Sequence, residues 1–267
     1  MKTYKGYLID LDGTMYRGNE TIDAASSFIH ALQAKDIPYL FVTNNSSLTQ
    51  EDIVKKLYTM DIPSTPDHVM TSSIATAKYI RKQSENARCM VIGEHGLFAA
   101  LKKEGLQIVE DHCDYVVIGI DRHITYEKLA KACLAVRQGA QLISTNSDVA
   151  IPTERGLVPG NGALTSVVSV STGAKPTFIG KPEPIIMEQS LAMLNVAKKD
   201  VIMVGDNYDT DILAGIRSGI DTLMVFTGVT PFSMYEELKV KPTHYVKDLK
   251  EWMPNILKEV GTKPIQN

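Results

Sequence analysis

YLIDLDGTMY, Tyr7 to Tyr16, runs from an apolar stretch directly into two aspartates separated by a single residue, and then into Gly13-Thr14. Tyr7–Asp10 reads as a short buried strand. Asp-Gly after a strand is by itself an ordinary turn signal. Two carboxylates at a strand tip nevertheless repel each other unless a cation or a reaction makes use of them. Period two places Asp10 and Asp12 on one face of a continuing strand, so a turn at Gly13 must aim both at a common site.

Helix-like and strand-like segments alternate outward from this stretch. Ile22–Ala34 carries Phe28, Ile29 and Leu32 on one helical stripe, and Tyr39–Thr43 (YLFVT) reads as a second strand. Thr49 is placed to cap a helix running through Met60, with Asp52 at the capping-box position. Further along, Ile74–Lys82, His95–Lys103 and Tyr126–Arg137 read as helices, and Cys89–Ile92, Tyr115–Ile118 and Leu142–Ser144 as strands. Thr145–Leu164 is rich in Gly, Pro and polar residues and reads as a long loop, a common seat of function. A helix at Leu164–Thr172 and a strand at Thr177–Gly180 follow. Then come the helix Pro184–Leu194, the strand Val201–Val204, the helix Asp211–Ser218, the strand Thr222–Phe226 and a last helix holding Trp252. This alternation predicts an α/β fold with a mostly parallel sheet.

The 267 residues, 44% of them hydrophobic, suffice for two domains. A net charge of −3, with both signs mixed along the chain, offers no basic footprint for a nucleic-acid polymer. No apolar run approaches the roughly 18 residues of a membrane span, and MKTYKGYLID lacks a signal-peptide core. Three cysteines without a Cys-x-x-Cys pair fit a reducing compartment. The expectation is a cytoplasmic protein with no membrane partner.

Polar motifs follow four of the strands: Asp10-Leu-Asp12-Gly13-Thr14, Thr43-Asn44-Asn45-Ser46-Ser47, Gly180-Lys181-Pro182 and Gly205-Asp206-Asn207-Tyr208-Asp209-Thr210-Asp211. Ligands of open α/β sheets bind outside the carboxyl ends of the strands, so the four motifs are expected to converge. Asp10, Asp12 and Asp206 offer hard oxygen ligands suited to Mg²⁺. The Thr43 hydroxyl, nearby turn amides and the Lys181 ammonium suit a phosphate dianion. Asp10 is then the candidate nucleophile and Asp12 the candidate general acid and base.

DLDGT, VTNNS, GKP and GDNYDTD, in this order, resemble the four signature motifs of the haloacid dehalogenase-like (HAD) superfamily. GDNYDTDILAG and VPGNGAL are most similar to its NagD-like, or para-nitrophenyl phosphatase, members. The resemblance covers nearly the whole chain. It implies a Rossmann-like core over residues 1–70 and 180–267, with an α/β cap inserted over 71–179. It further implies Mg²⁺ held by Asp10, the backbone carbonyl of Asp12 and Asp206, with Asp211 behind the metal. Thr43 and Lys181 match the phosphate-binding pair, and Asn44 and Asn45 match polar residues lining the pocket. Family members often pair through the cap, which implies a homo-oligomer.

The expected reaction is therefore Mg²⁺-dependent hydrolysis of a small phosphate monoester, such as a sugar phosphate or a nucleoside monophosphate. A phosphomutase of the same superfamily would differ only in keeping water from the intermediate. A phosphate-binding protein without turnover would not need the nucleophile. A phospho-accepting receiver domain is much shorter and carries its acceptor on a later strand than its acidic pair.

Overall fold

The structure, a computed structural model, describes residues 2–257. The chain opens with β1 (Gly6–Ile9), a small hairpin of β2 (Tyr16–Arg17) and β3 (Glu20–Thr21), α1 (Ala25–Ala34), β4 (Tyr39–Thr43), α2 (Gln50–Thr59) and β5 (Val69–Thr71). Next come α3 (Ser72–Gln83), β6 (Arg88–Ile92), α4 (His95–Lys103), β7 (Gln107–Ile108), β8 (Tyr115–Ile118), α5 (Tyr126–Arg137) and β9 (Gln141–Ser144). A second hairpin, β10 (Ala150–Thr153) and β11 (Gly156–Pro159), leads to α6 (Asn161–Thr172) and β12 (Thr177–Phe178). The chain continues through α7 (Pro184–Leu194), β13 (Val201–Gly205), α8 (Leu213–Ser218), β14 (Asp221–Val225), β15 (His244–Val246) and α9 (Leu249–Leu257).

Two sheets, each parallel throughout, organise these elements. One has the order β15-β14-β13-β1-β4-β5, the other β12-β9-β8-β6-β7. Parallel strands covered on both faces bury every residue, which is why YLI, YLFVT and VIMV are unbroken apolar runs. Alternate side chains pack to opposite faces. Tyr7, Ile9, Phe41 and Val204 pack with Phe28 and Leu32 of α1, Leu57 of α2 and Trp252 of α9. Leu8, Leu40, Val42 and Met203 face Ala75 and Ile80 of α3 and Met187 and Leu191 of α7. That second cluster continues into the other sheet through Cys89, Val117 and Ile143 and through Leu97 of α4. The far face of the five-stranded sheet lies against Ala132 and Ala135 of α5 and Val168 of α6.

From β1 the chain moves outward to β4 and β5, then returns to the opposite side at β13. The strand order thus reverses at β1, and a crevice at that reversal is where such sheets bind ligands. Among the described residues, no helix is long and apolar enough to cross a membrane.

Several elements differ from the sequence expectation. The first helix starts at Ala25 rather than Ile22, because Ala24 takes a left-handed backbone conformation that helix cannot continue through (φ 66°). The expected loop Thr145–Leu164 contains the β10–β11 hairpin, and α6 begins at Asn161. Gly156, at φ 107°, closes that hairpin in a conformation that excludes side chains. β2, β3, β5, β7 and β15 have only two or three residues, too few to show periodicity. The helix expected from Asp211 is preceded by a π-helical turn, Tyr208–Ile212, with regular α-helix only from Leu213.

The Thr49 capping box is formed: the Asp52 N–H donates to Thr49 Oγ1, and Asp52 Oδ2 accepts from the Thr49 N–H, each at 3.2 Å. Asp52 Oδ2 also lies 2.8 Å from His95 Nε2 at the start of α4, so one carboxylate ties α2 to α4. The hydrogen bond from His95, followed by those from Thr49, lowers the Asp52 carboxyl to about 2. A depressed carboxyl contributes stability that is present above its unfolded value, about 4, and is lost as pH falls through the folded value. Asp52→Asn is expected to lower the melting temperature at pH 7. The gap from wild type should narrow as pH drops below 4, which thermal unfolding across pH will test.

Candidate active site

β1 delivers Asp10. The Asp10 N–H still donates to Val204 O at 2.9 Å, so the ladder with β13 extends one residue past the strand. The chain then turns back on itself, with the Met15 N–H donating to Leu11 O at 2.8 Å. Gly13 permits the turn through a positive φ of 92°. A Cβ at Gly13, or at Gly228 opposite, would collide with the Asp206 carboxylate. That carboxylate, which follows β13, is held by the Val229 N–H at 2.6 Å and by Thr14 Oγ1 at 3.2 Å.

Asp211 comes from the π-helical turn. Its Oδ2 accepts from the Asn207 N–H at 3.1 Å, so the turn aims the side chain back toward the strand ends. Single π-helical turns are frequent at functional sites. One oxygen each of Asp10, Asp206 and Asp211 can lie within 4.8 Å of the others, and all three residues are buried.

Lys181 enters from the connection after β12 and is only 1% exposed. Its Nζ donates to Asp10 Oδ1 at 2.5 Å and to Val42 O at 2.6 Å, and pairs with Asp211 Oδ1 at 2.8 Å. All three ammonium protons have acceptors. Burial alone would lower this lysine's proton affinity, but the charges of Asp10 and Asp211 outweigh it and hold the ammonium above its usual range.

The remaining sequence-predicted residues divide. Thr43, the buried last residue of β4, accepts the Asn45 N–H at its Oγ1 (3.1 Å). Asn44 Nδ2 donates to Lys181 O at 2.9 Å, tying the β4 loop to the lysine. Asn45 turns inward on its own loop, its Oδ1 accepting from the N–H groups of Ser47 and Leu48 at 3.0 and 2.9 Å. Asp12 is exposed, in contrast to buried Asp10. Partial desolvation raises its carboxyl above the ordinary value, opposed by the charge of Lys56 and the Gly18 N–H. The Lys56 ammonium itself sits 3.7 Å from the centre of the Tyr16 ring.

Three buried carboxylates against one buried lysine leave an excess of negative charge. Desolvation and the neighbouring Asp211 charge push the Asp206 carboxyl up to about 7. Desolvation, then Asp211, raise Asp10 well above its ordinary value despite Lys181. A divalent cation fits this donor set, which is all hard oxygen and short of positive charge.

The structure adds residues the sequence reading passed over. Thr14 bridges Asp206 and, at 3.5 Å, Asp10 Oδ2; it lies inside the quoted DLDGT motif, where its hydroxyl was the available signal. Thr227 Oγ1 donates to Gly13 O at 2.7 Å, and Arg17 Nε to Thr227 O at 2.6 Å, buttressing the turn. No sequence pattern marks the Thr227–Val229 loop. Asp148 meets Asn44 from the expected loop Thr145–Leu164, whose polar composition was its only signal.

The chain is similar to known proteins in both sequence and fold. Residues 7–107 match the family model described as haloacid dehalogenase-like hydrolase, and residues 178–252 match a second HAD hydrolase-like model. The chain is 56% identical to 5'-nucleotidase YutF of Bacillus subtilis, over 96% of this chain and all of that one. It is 57% identical to the acid sugar phosphatase of Staphylococcus epidermidis, over 93% of this chain and 96% of that one. A thermostable NPPase structure from Geobacillus stearothermophilus superposes with a TM-score of 0.89 at 58% identity, covering 94% of this chain and 99% of that one. The p-nitrophenyl phosphatase of Archaeoglobus fulgidus keeps a TM-score of 0.91 at 32% identity, covering 95% and 99%. The chain belongs to the haloacid dehalogenase-like hydrolases, in their NagD-like, para-nitrophenyl phosphatase group, and is an enzyme of that group.

Proposed function

We propose that this enzyme hydrolyses small phosphate monoesters through an aspartyl-phosphate on Asp10. The observation that carries the reading is the environment of that carboxylate. It follows the central strand β1, Lys181 holds Oδ1, and among the described residues Oδ2 has only a 3.5 Å contact with Thr14. Oδ2 is the attacking atom. The 5'-nucleotidase, acid sugar phosphatase and p-nitrophenyl phosphatase named among the relatives support the phosphate-ester class.

Asp10, the backbone carbonyl of Asp12 and Asp206 would hold Mg²⁺, with Asp211 behind it. When bound, the cation offsets the charge of the phosphate so that a carboxylate can approach it. Thr43, Lys181 and the Asn44–Asn45 loop receive the phosphate. In the first step Asp10 Oδ2 bonds to phosphorus, the ester P–O bond breaks, and Asp12 gives its proton to the departing alcohol oxygen. In the second step Asp12 takes a proton from water, the water oxygen bonds to phosphorus, and the aspartyl P–O bond breaks. Inorganic phosphate leaves and Asp10 is restored. The exposure of Asp12 and its raised proton affinity suit an acid that must meet both solvent and substrate.

In this reading residues 1–70 and 180–267 are the core, with residues 1 and 258–267 outside the described residues, and 71–179 the cap, the unit built on the five-stranded sheet. A cap over the strand ends favours free metabolites over phosphoproteins, and such substrates accord with a cytoplasmic enzyme. Exposed Val149, Leu157, Val167 and Val170 offer the cap apolar surface for a homo-oligomer.

Phosphate release from p-nitrophenyl phosphate, sugar phosphates and nucleoside monophosphates, each with and without Mg²⁺, tests the reaction. Release is expected only with the metal and is expected to vanish in Asp10→Asn; appreciable turnover by that variant would remove Asp10 as nucleophile. Asp12→Asn is expected to slow both steps and to accumulate acid-stable-labelled phosphoenzyme from a ³²P ester. Mg²⁺ is expected to raise the melting temperature of wild type by mass action, but not that of Asp206→Asn. Lys181→Met is expected to cost about 3–5 kcal/mol of stability to urea in metal-free protein, since it leaves two buried carboxylates unpaired. Its turnover should fall by about 10²–10³-fold.

A further inference from the structure

Asn44 stands between the two sheets. One Nδ2 proton goes to Lys181 O at 2.9 Å, and the other falls between both carboxylate oxygens of Asp148, each at 3.2 Å. Its Oδ1 is buried with no hydrogen-bond partner among the described residues and faces Gly180, where a Cβ would lie 2.5 Å away. Turned the other way, the amide would set its carbonyl oxygen against two carboxylate oxygens and the Lys181 carbonyl. The acceptor oxygens of Asp148 and Lys181 therefore dictate which way Asn44 points.

Asp148 is itself held firmly. Its N–H donates to Asn146 Oδ1 at 3.1 Å, and its carbonyl accepts from the Gly162 N–H at 2.8 Å. Asn146 Nδ2 returns the link by donating to Asn44 O at 2.9 Å. Below it, buried Asn161 Nδ2 donates to Asn146 O and Ser144 Oγ, both at 2.9 Å, so the VPGNG stretch fixes the base of this loop.

We propose that Asp148 is a positioning residue for the reaction: acting through Asn44, it sets the backbone of Lys181 so that its ammonium reaches Asp10. The inference rests on the phosphatase reading and adds a residue from the five-stranded unit to it. Proper seating of Lys181 then depends on that unit being docked on the β4 loop.

The test uses the full-length enzyme with Mg²⁺ and p-nitrophenyl phosphate. Asp148→Ala, Asp148→Asn and Asn44→Ala are compared singly and as Asp148/Asn44 double variants. Asp148→Ala is expected to lower kcat by about 10–100-fold, the range for loss of an orienting partner, with KM within about threefold of wild type. Asp148→Asn, which still offers Asn44 an acceptor oxygen, is expected to recover most of that loss. On the Asn44→Ala background, Asp148→Ala should have little further effect, the signature of a residue acting through its neighbour. Three results would each overturn the proposal: undiminished kcat in Asp148→Ala, a loss confined to KM, or a loss that persists in full without Asn44. If Asp148→Ala fails to fold, Asp148→Ser, too short to span the gap, takes its place with the same expectations. Absence of turnover in wild type would overturn the phosphatase reading itself, whereas wild-type turnover unaffected by Asp148→Ala overturns this inference alone.

Discussion

A buried ammonium must find all its acceptors within the protein, and Lys181 finds them in three distant parts of the chain. Asp10 follows β1, Val42 lies in β4 and Asp211 projects from the turn after β13. Unpaired, such a charge would cost several kcal/mol, and each of the buried carboxylates beside it would cost as much again. The cluster is therefore coherent only when the central strands are in register and the β12–α7 connection is in place. Thr14 and the Val229 N–H complete the arrangement by giving Asp206 the donors that Lys181 does not reach.

The position of this cluster follows from topology. Parallel strands share a direction, so all their carboxyl ends emerge on one edge of the sheet, and the reversal of strand order at β1 leaves a crevice there. The five-stranded sheet meets that edge through the loop after β4. The Gly96 N–H donates to Ser47 O at 2.9 Å, the Ile120 N–H to Ser46 Oγ at 3.1 Å, and Asn146 to Asn44 O. A loop held from both sides suits a site where small shifts in geometry have large effects on rate.

Much of this architecture could be read from residue order. The runs YLI, YLFVT and VIMV announced the three central strands because a parallel strand buried on both faces has no polar positions to obscure it. The Thr49 cap was recognisable since Thr and Asp three residues apart satisfy each other's backbone locally. Short strands such as β5 and β15 were not recognisable, being formed by neighbours in the sheet rather than by any pattern of their own. The β10–β11 hairpin reads as loop from sequence because its two prolines and exposed residues depart from the usual strand composition.

At the site, the sequence by itself determined the chemical inventory: two aspartates around a strand end, a Thr-Asn-Asn loop, a Gly-Lys-Pro and a cluster of later acids, in an order that points to phosphate chemistry. These are local facts, written in residue type and spacing. Tertiary structure decided how they divide the work. It buried Asp10 while leaving Asp12 exposed, turned Asn45 inward on its own loop, and placed Asp211 against Lys181. It also brought Asp148 to Asn44 from 104 residues away. Desolvation and contacts between distant segments set those outcomes, and neither is encoded in any short stretch of the chain.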